Sequence, residues 1–305
     1  PEGVGFRSLR VTRSERFRYV VVEHTSPNTS GSTRRLRTGN TMRVENSFIP
    51  VSGVGETTER RLWESGVTQW ESYAGQRPRG IGATTAARIE SFVDEALERL
   101  DDADTAYFDR ALPGGEQWRL YESFRDNTCF FDIETTGLSE RHDDVTTVSF
   151  HRGGETETLV RGQDLTPAAV REEFAAADLL CTFNGARFDV PFLETELGIN
   201  VDTPHLDLLY PCRRLDLTGG LKPIERELGI DRDGPEIGGR DAVRLWHQYE
   251  AGDEAALERL VSYNRDDTVN LKRLADETCR RLHTQTALDD TVSELTGSGP
   301  LGDVR

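Results

Sequence analysis

The sequence predicts an α/β fold: a mixed sheet with flanking helices, preceded by a small α-helical module. Three observations carry this. Strand-like runs near 128–134, 145–151 and 156–161 are followed by alternating helix and strand signals, the order of a mixed sheet with helices on its faces. The first of these runs carries two acids among apolar residues. The N-terminal third instead holds two glycine turns, each followed by an amphipathic helical pattern.

Residues 1–45 read as a basic arm. Nine arginines (Arg7, Arg10, Arg13, Arg16, Arg18, Arg34, Arg35, Arg37, Arg43) stand against four acids, whereas the whole chain carries −17. Such an arm is an electrostatic footprint for phosphates, or a solvated extension. Within it, 20–24 has strand character, and 26–38 is rich in Ser, Thr, Gly and Arg.

Residues 46–100 contain the glycine turns. Gly53-Val54-Gly55 precedes one helical pattern and Gly80-Ile81-Gly82 the next, 27 residues on. Glycines at a helix start let backbone amides approach a phosphate; equally, each turn serves only to pack two helices. Residues 101–125 read as a linker. Residues 126–282 are expected to hold the sheet and to fold without the first hundred residues. Residues 283–305 form a polar tail.

The run from 128 to 137 places Asp132 and Glu134 two apart on a strand, so both carboxylates point to one face. Paired anions repel and resist desolvation. Either the strand is a solvated edge, or a divalent cation neutralises them; all-oxygen ligands favour Mg²⁺ or Mn²⁺. Asp189 follows the strand near 179–184 and the turn Asn184-Gly185, at a helix start. It is a further ligand candidate, or it complements the helix dipole. Strand signals recur near 203–208, and helices are read over 167–176 and 188–197. In the last long helix, Tyr263 and Asp267 are i and i+4, neighbours on one face. A phenol there can orient a water that attacks phosphorus. Asp266 adjoins Asp267, but one helical step turns a side chain by about 100°.

Asp132-x-Glu134, then Asn184-Gly185-x-x-Phe188-Asp189, then Tyr263-x-x-x-Asp267 resembles the three motifs of DEDD 3′–5′ exonucleases of the tyrosine subgroup, which have an RNase H-like fold. Ser262 stands where the histidine subgroup has His. The YprB-like proteins are the nearest resemblance, over about 126–282, and His205-Leu-Asp207, Gly219-Gly-Leu-Lys222-Pro-Ile-Glu225 and Gly238–Trp246 also fit them. The resemblance implies two metal ions on Asp132, Glu134, Asp189 and Asp267, with Tyr263 positioning the water. Thr135, Thr136 and Leu138 would line the terminal nucleotide's path, and Asn184 and Phe188 would support the site. His205 and Asp207 remain structural residues or extra ligands. The glycine turns Gly53, Gly55, Gly80 and Gly82 resemble tandem helix–hairpin–helix modules, which implies nucleic-acid binding without sequence preference; Pro78 departs from that pattern.

Only Lys222 and Lys272 are lysine, against 35 arginines. With the excess of acids, this is similar to proteins of salt-loving archaea, in which salt screens surface repulsion. Cys129, Cys181, Cys212 and Cys279 lack C-x-x-C spacing, which argues against zinc and for reduced thiols in a cytoplasmic protein. No apolar run is long enough to span a membrane. Three function classes follow: an active exonuclease on single-stranded 3′ ends, a nucleic-acid-binding protein with a non-catalytic scaffold, and a structure-specific endonuclease. The sequence does not choose between DNA and RNA.

Overall fold

The computed structural model describes residues 18–19, 42–73, 78, 80–232 and 237–286. Most of the basic arm, including the strand read at 20–24, and the tail beyond 286 lie outside the described residues. In chain order the elements are β1 (Arg18–Tyr19), α1 (Glu56–Glu64), α2 (Ala83–Asp101), α3 (Thr105–Ala111), α4 (Tyr121–Phe124), β2 (Thr128–Thr135), β3 (Val145–Arg152), β4 (Glu155–Val160), α5 (Pro167–Ala175), β5 (Leu179–Thr182), α6 (Asp189–Leu197), β6 (His205–Asp207), α7 (Leu209–Arg214), α8 (Leu221–Leu228), α9 (Gly239–Glu250) and α10 (Glu254–Thr286).

The sheet order is β1-β4-β3-β2-β5-β6. Strands β2, β3 and β4 form an antiparallel meander, while β5 and β6 run parallel to β2. The mixed sheet read from the sequence is therefore present, with the two-residue β1 added at the β4 edge. The β3–β4 turn is Gly153-Gly154, with φ of +61° and +87°. A two-residue hairpin needs left-handed backbone at both positions, which glycine adopts without strain.

Alternation along β2 divides the protein. Cys129, Phe131 and Ile133 face a core with Val148 and Phe150 of β3, Val170 and Phe174 of α5, and Phe192 and Leu193 of α6. The rings of Phe131 and Phe174 lie 4.8 Å apart. The intervening residues Phe130, Asp132 and Glu134 therefore take the opposite face. There Phe130, Leu179, Cys181 and Leu206 join one continuous core with Trp63, Trp70, Ile89 and Val93 of the N-terminal third and Leu271, Leu274 and Leu282 of α10.

This corrects the reading of 101–125 as a linker. Phe108, Leu112, Trp118, Leu120, Tyr121 and Phe124 are all buried in that core. Asp104 caps α3 by accepting from the Tyr107 amide at 2.9 Å. Trp70 stacks on Phe108 at 5.5 Å. Arg119 and Glu59 are 0% and 1% exposed, so their ion pair is dry. Arg119 Nη1 donates to Glu59 Oε2 at 2.9 Å, and its Nε donates to Glu116 at 2.7 Å. Glu59 also accepts from the Phe48 amide at 2.7 Å. Burial pushes the Glu59 carboxyl up, opposed by Arg119 and the Phe48 amide. Sequence periodicity does not reveal such a join, because its partners are 60 residues apart. At the other end, α10 runs to Thr286, past the boundary read at 283.

Because the core is shared, 126–282 is not expected to fold alone. A fragment lacking residues 1–100 should expose Phe108, Phe124, Phe130 and Leu274 and lose cooperative unfolding in calorimetry. A cooperative transition within about 3 °C of the intact chain, a shift worth about 1 kcal/mol in a domain of this size, would show two separable cores.

Candidate metal centre

The even-numbered face of β2 brings Asp132 and Glu134 beneath α10. Side-chain oxygens of Asp132, Glu134 and Asp267 all lie within 4.8 Å of one another. Asp132 is opposite Ser149 and Glu134 opposite Thr147 on β3, and the register slips between Glu134 and Thr135. The regular ladder thus ends just beyond the acids.

Asp189 opens α6, and its Oδ1 accepts from the Ile133 amide at 3.2 Å. It stands outside the trio, yet its charge is the strongest of those acting on Asp132. Asp267 is buried and Asp266 only half-buried outside the trio, as the rotation of one helical step requires.

Helix α10 supplies more than the sequence reading assigned. Asn264 Nδ2 donates to Asp132 Oδ2 at 2.7 Å and to the Asp132 carbonyl at 3.2 Å. Its Oδ1 accepts from Thr147 at 3.0 Å. The Tyr263 hydroxyl accepts from Lys222 Nζ at 2.9 Å, and the ammonium sits 4.4 Å from the ring centroid. Lys222 lies in the first turn of α8. Its signal was compositional: it is one of two lysines in a chain whose other cations are arginine. Arg232 donates to Asp267 and, through Nε at 2.6 Å, to Glu225.

The electrostatics follow from burial and repulsion. Burial pushes the Asp132 carboxyl well up, and the charges of Asp189, Asp267 and Glu134 add to this; the Asn264 amide opposes it. Glu134 is likewise pushed well up by burial and then Asp267, with Lys222 opposing. Burial lifts Asp189 to about 7 against the hydrogen bond from Ile133. Burial, followed by Asp267 and Glu134, raises the Tyr263 phenol. A pocket of carboxylates that resist ionisation together, with oxygen donors alone, fits a hard divalent cation.

The remaining predicted residues lie outside the trio. Thr135 Oγ1 donates to the Gly137 carbonyl at 2.5 Å, and Thr136 Oγ1 accepts from the Asp144 amide at 2.9 Å. Leu138, beyond them, is 85% exposed. Asn184 is left-handed at φ +64°, and its amide donates to Asp207 Oδ1 at 2.7 Å. Asp207 also accepts from Ala186 and Leu209 amides, so it ties down the loop after β5. His205 Nε2 pairs with Thr182 Oγ1 at 2.7 Å. Neither belongs to the trio. The Phe188 ring lies 4.9 Å from that of Phe192.

The two glycine turns have matching geometry. Gly53 and Gly80 take φ of +90° and +86°, a conformation that β-carbon-bearing residues rarely adopt. Gly55 and Gly82 are the caps of α1 and α2, neither using a side chain to satisfy the first-turn amides. Val54 and Ile81 are buried beneath exposed glycines. Arg88 of α2 lies beside Gly53, and Arg61 of α1 beside Gly80. Each of these arginines sits six residues past its own cap, so the repeat extends into the helices. Among the described residues, a 3₁₀ turn precedes each glycine turn, at Val44–Asn46 and Trp70–Ser72.

Residues 129–279 match the RNase H superfamily, and the mixed sheet with flanking helices is an RNase H-like fold. Among solved structures, the chain is similar to the family B DNA polymerase from the hyperthermophilic archaeon Pyrobaculum calidifontis, at 18% identity and TM-score 0.44, over 54% of this chain and 27% of that one. It is also similar to Brucella melitensis NrnC bound to pGG, at 18% identity and TM-score 0.36, over 61% of this chain and 94% of that one. Brucella melitensis NrnC with bound Mg²⁺ gives 21% identity and TM-score 0.31, over 60% and 94%. No curated protein matches the chain. Among the described residues, no helix is long and apolar enough to cross a membrane.

A folded-state carboxyl raised from 3.8 to about 7, as at Asp189, keeps its proton longer than the unfolded chain does. The cation-free fold should therefore lose stability as pH rises from about 4 through about 7. A divalent cation replaces these protons, so its gain in melting temperature should be larger at about pH 8 than at about pH 5. Calorimetry with EDTA and with Mn²⁺ measures both; equal gains at the two pH values would detach the cation from these carboxylates.

Proposed function

We propose that this chain is a metal-dependent 3′–5′ exonuclease that hydrolyses phosphodiester bonds at nucleic-acid 3′ ends. The observation that supports it best is the meeting of Asp132, Glu134 and Asp267 within 4.8 Å. With Asp189, these residues would hold two ions, Mg²⁺ or Mn²⁺. When bound, the pair supplies an activated water and neutralises charge at the leaving 3′-oxygen. Asn264 fixes the Asp132 carboxylate by a 2.7 Å hydrogen bond. Tyr263 orients the water, its phenol kept protonated by burial and neighbouring carboxylates and held by Lys222. Thr135, Thr136 and the exposed Leu138 flank the terminal nucleotide, with Asn184 and Phe188 supporting the loop beyond.

The substrate we favour is a single strand with a free 3′ end, in a cytoplasmic, salt-rich setting. The chain is read as a YprB-like member of the tyrosine subgroup. The turns at Gly53, Gly55, Gly80 and Gly82 act as a helix–hairpin–helix-like grip on phosphates, assisted by Arg61 and Arg88. The mutual placement of these arginines and hairpins also favours a second reading, a structure-specific endonuclease that grips duplex through both turns.

Asp132→Ala or Asp189→Asn should lower turnover by about 10²-fold or more, given the several kcal/mol that metal stabilisation contributes. Asp267→Asn should abolish turnover while Asp266→Asn only weakens it. The reverse order in single-turnover assays would sink the tyrosine-subgroup assignment.

A labelled panel of single-stranded, duplex and 3′-overhang DNA and RNA, incubated with Mn²⁺, tests the function itself. A ladder of mononucleotides shortening from the 3′ end is expected. One discrete cut would mean an endonuclease, and binding without cleavage a non-catalytic scaffold.

A further inference from the structure

We propose that Arg232 is a built-in counter-cation that competes with divalent metal for Asp267, and that Glu225 is the anchor that keeps it when metal binds. This rests on the metal-site reading above. The Arg232 guanidinium bridges two carboxylates, one from α10 and one from α8. Its Nη1 pairs with Asp267 Oδ1, and its Nε donates to Glu225 Oε2 at 2.6 Å. Its side chain is only 12% exposed, and those of Asp267 and Glu225 are 8% and 1% exposed, so these are dry contacts in which charge is poorly screened.

Asp267 is the member of the carboxylate trio that Arg232 pairs with. A metal ion and a guanidinium cannot both take the same carboxylate oxygen. The ion must therefore displace the Nη1 contact before Asp267 can ligate with that oxygen. What makes displacement feasible is the second carboxylate. Arg232 Nη2 also meets Glu225 Oε2, at 2.5 Å, so two nitrogens of the guanidinium stay on Glu225 whether or not Nη1 is on Asp267. A guanidinium freed from Asp267 therefore never becomes an unpaired buried charge. A lysine, a single point charge, could not bridge the two carboxylates with separate nitrogens. A purely structural strap between α8 and α10 would need the Asp267 contact to persist with metal present; a counter-cation needs it to break.

The test is calorimetric titration of Mn²⁺ alone, without nucleic acid, into the full chain. Arg232→Gln should tighten Mn²⁺ binding by on the order of tenfold, because a competing positive charge is removed at low local dielectric. Glu225→Gln should weaken it severalfold, because the displaced guanidinium loses its anionic anchor. The double variant removes both buried charges together and guards against misfolding of Arg232→Gln; it should also bind Mn²⁺ more tightly than the wild type. Unchanged or weaker binding in the folded double variant would overturn the proposal. If the wild type binds no Mn²⁺, the metal reading fails and this inference with it. If the variants shift as stated but the wild type cleaves no nucleic acid, the counter-cation stands and the exonuclease reading falls.

Discussion

Repulsion among crowded carboxylates at the end of β2 is the constraint on which the surrounding structure depends. Asp132, Glu134 and Asp267 cannot share that space as bare anions. Hydrogen-bond donors therefore converge on it: the Asn264 amide on Asp132, the Ile133 amide on Asp189, and the Arg232 guanidinium on Asp267. Lys222 lowers the cost at Glu134 while holding the Tyr263 hydroxyl. These groups reach the pocket from three elements or the segments beside them, β2, α8 and α10. The carboxylates are worth this arrangement only where a cation can complete it.

The same strand that carries the acids also sets the protein's two sides. Cys129, Phe131 and Ile133 are apolar and close one core against α5 and α6. On the opposite face Phe130 closes the other core, and the acids Asp132 and Glu134 follow it. The second core recruits the N-terminal third, and the Arg119–Glu59 pair locks that union without water. Breaking one partner of such a pair costs about 3–5 kcal/mol, because the other charge is left buried and unpaired.

Much of this was legible in the sequence because it is local. The strands of the meander and the helices at 167–176 and 188–197 follow from period and turn residues within a few positions of each other. Tyr263 and Asp267 share a helix face by arithmetic, and so does Asn264, which was passed over because an amide in a helix has no chemical signature of its own. The union of the N-terminal third with the second core was not legible. Phe108 or Trp118 looks alike in a linker or a core, and only long-range contact decides which. Arg232 was hidden for the same reason: one arginine among 35, 35 residues from the Asp267 it meets. Asp207 was legible as an acid near the site, but its hold on the Asn184, Ala186 and Leu209 amides could be seen only in three dimensions.

Helix α10 spans 33 residues, roughly 50 Å at the α-helical rise. Near its start, Leu257, Leu260 and Tyr263 pack with Trp246 of α9 and Val160 of β4. Farther along, Leu271, Leu274, Cys279 and Leu282 sit in the core that holds Trp70 and Phe108. Asp267 lies between these two footings. The helix therefore works as a beam clamped at both ends, with the Asp267 carboxylate at mid-span. Sideways play at the clamp made with the N-terminal third becomes a displacement of that carboxylate relative to Asp132. The N-terminal third thus supplies one of the two supports of the helix that carries Asp267.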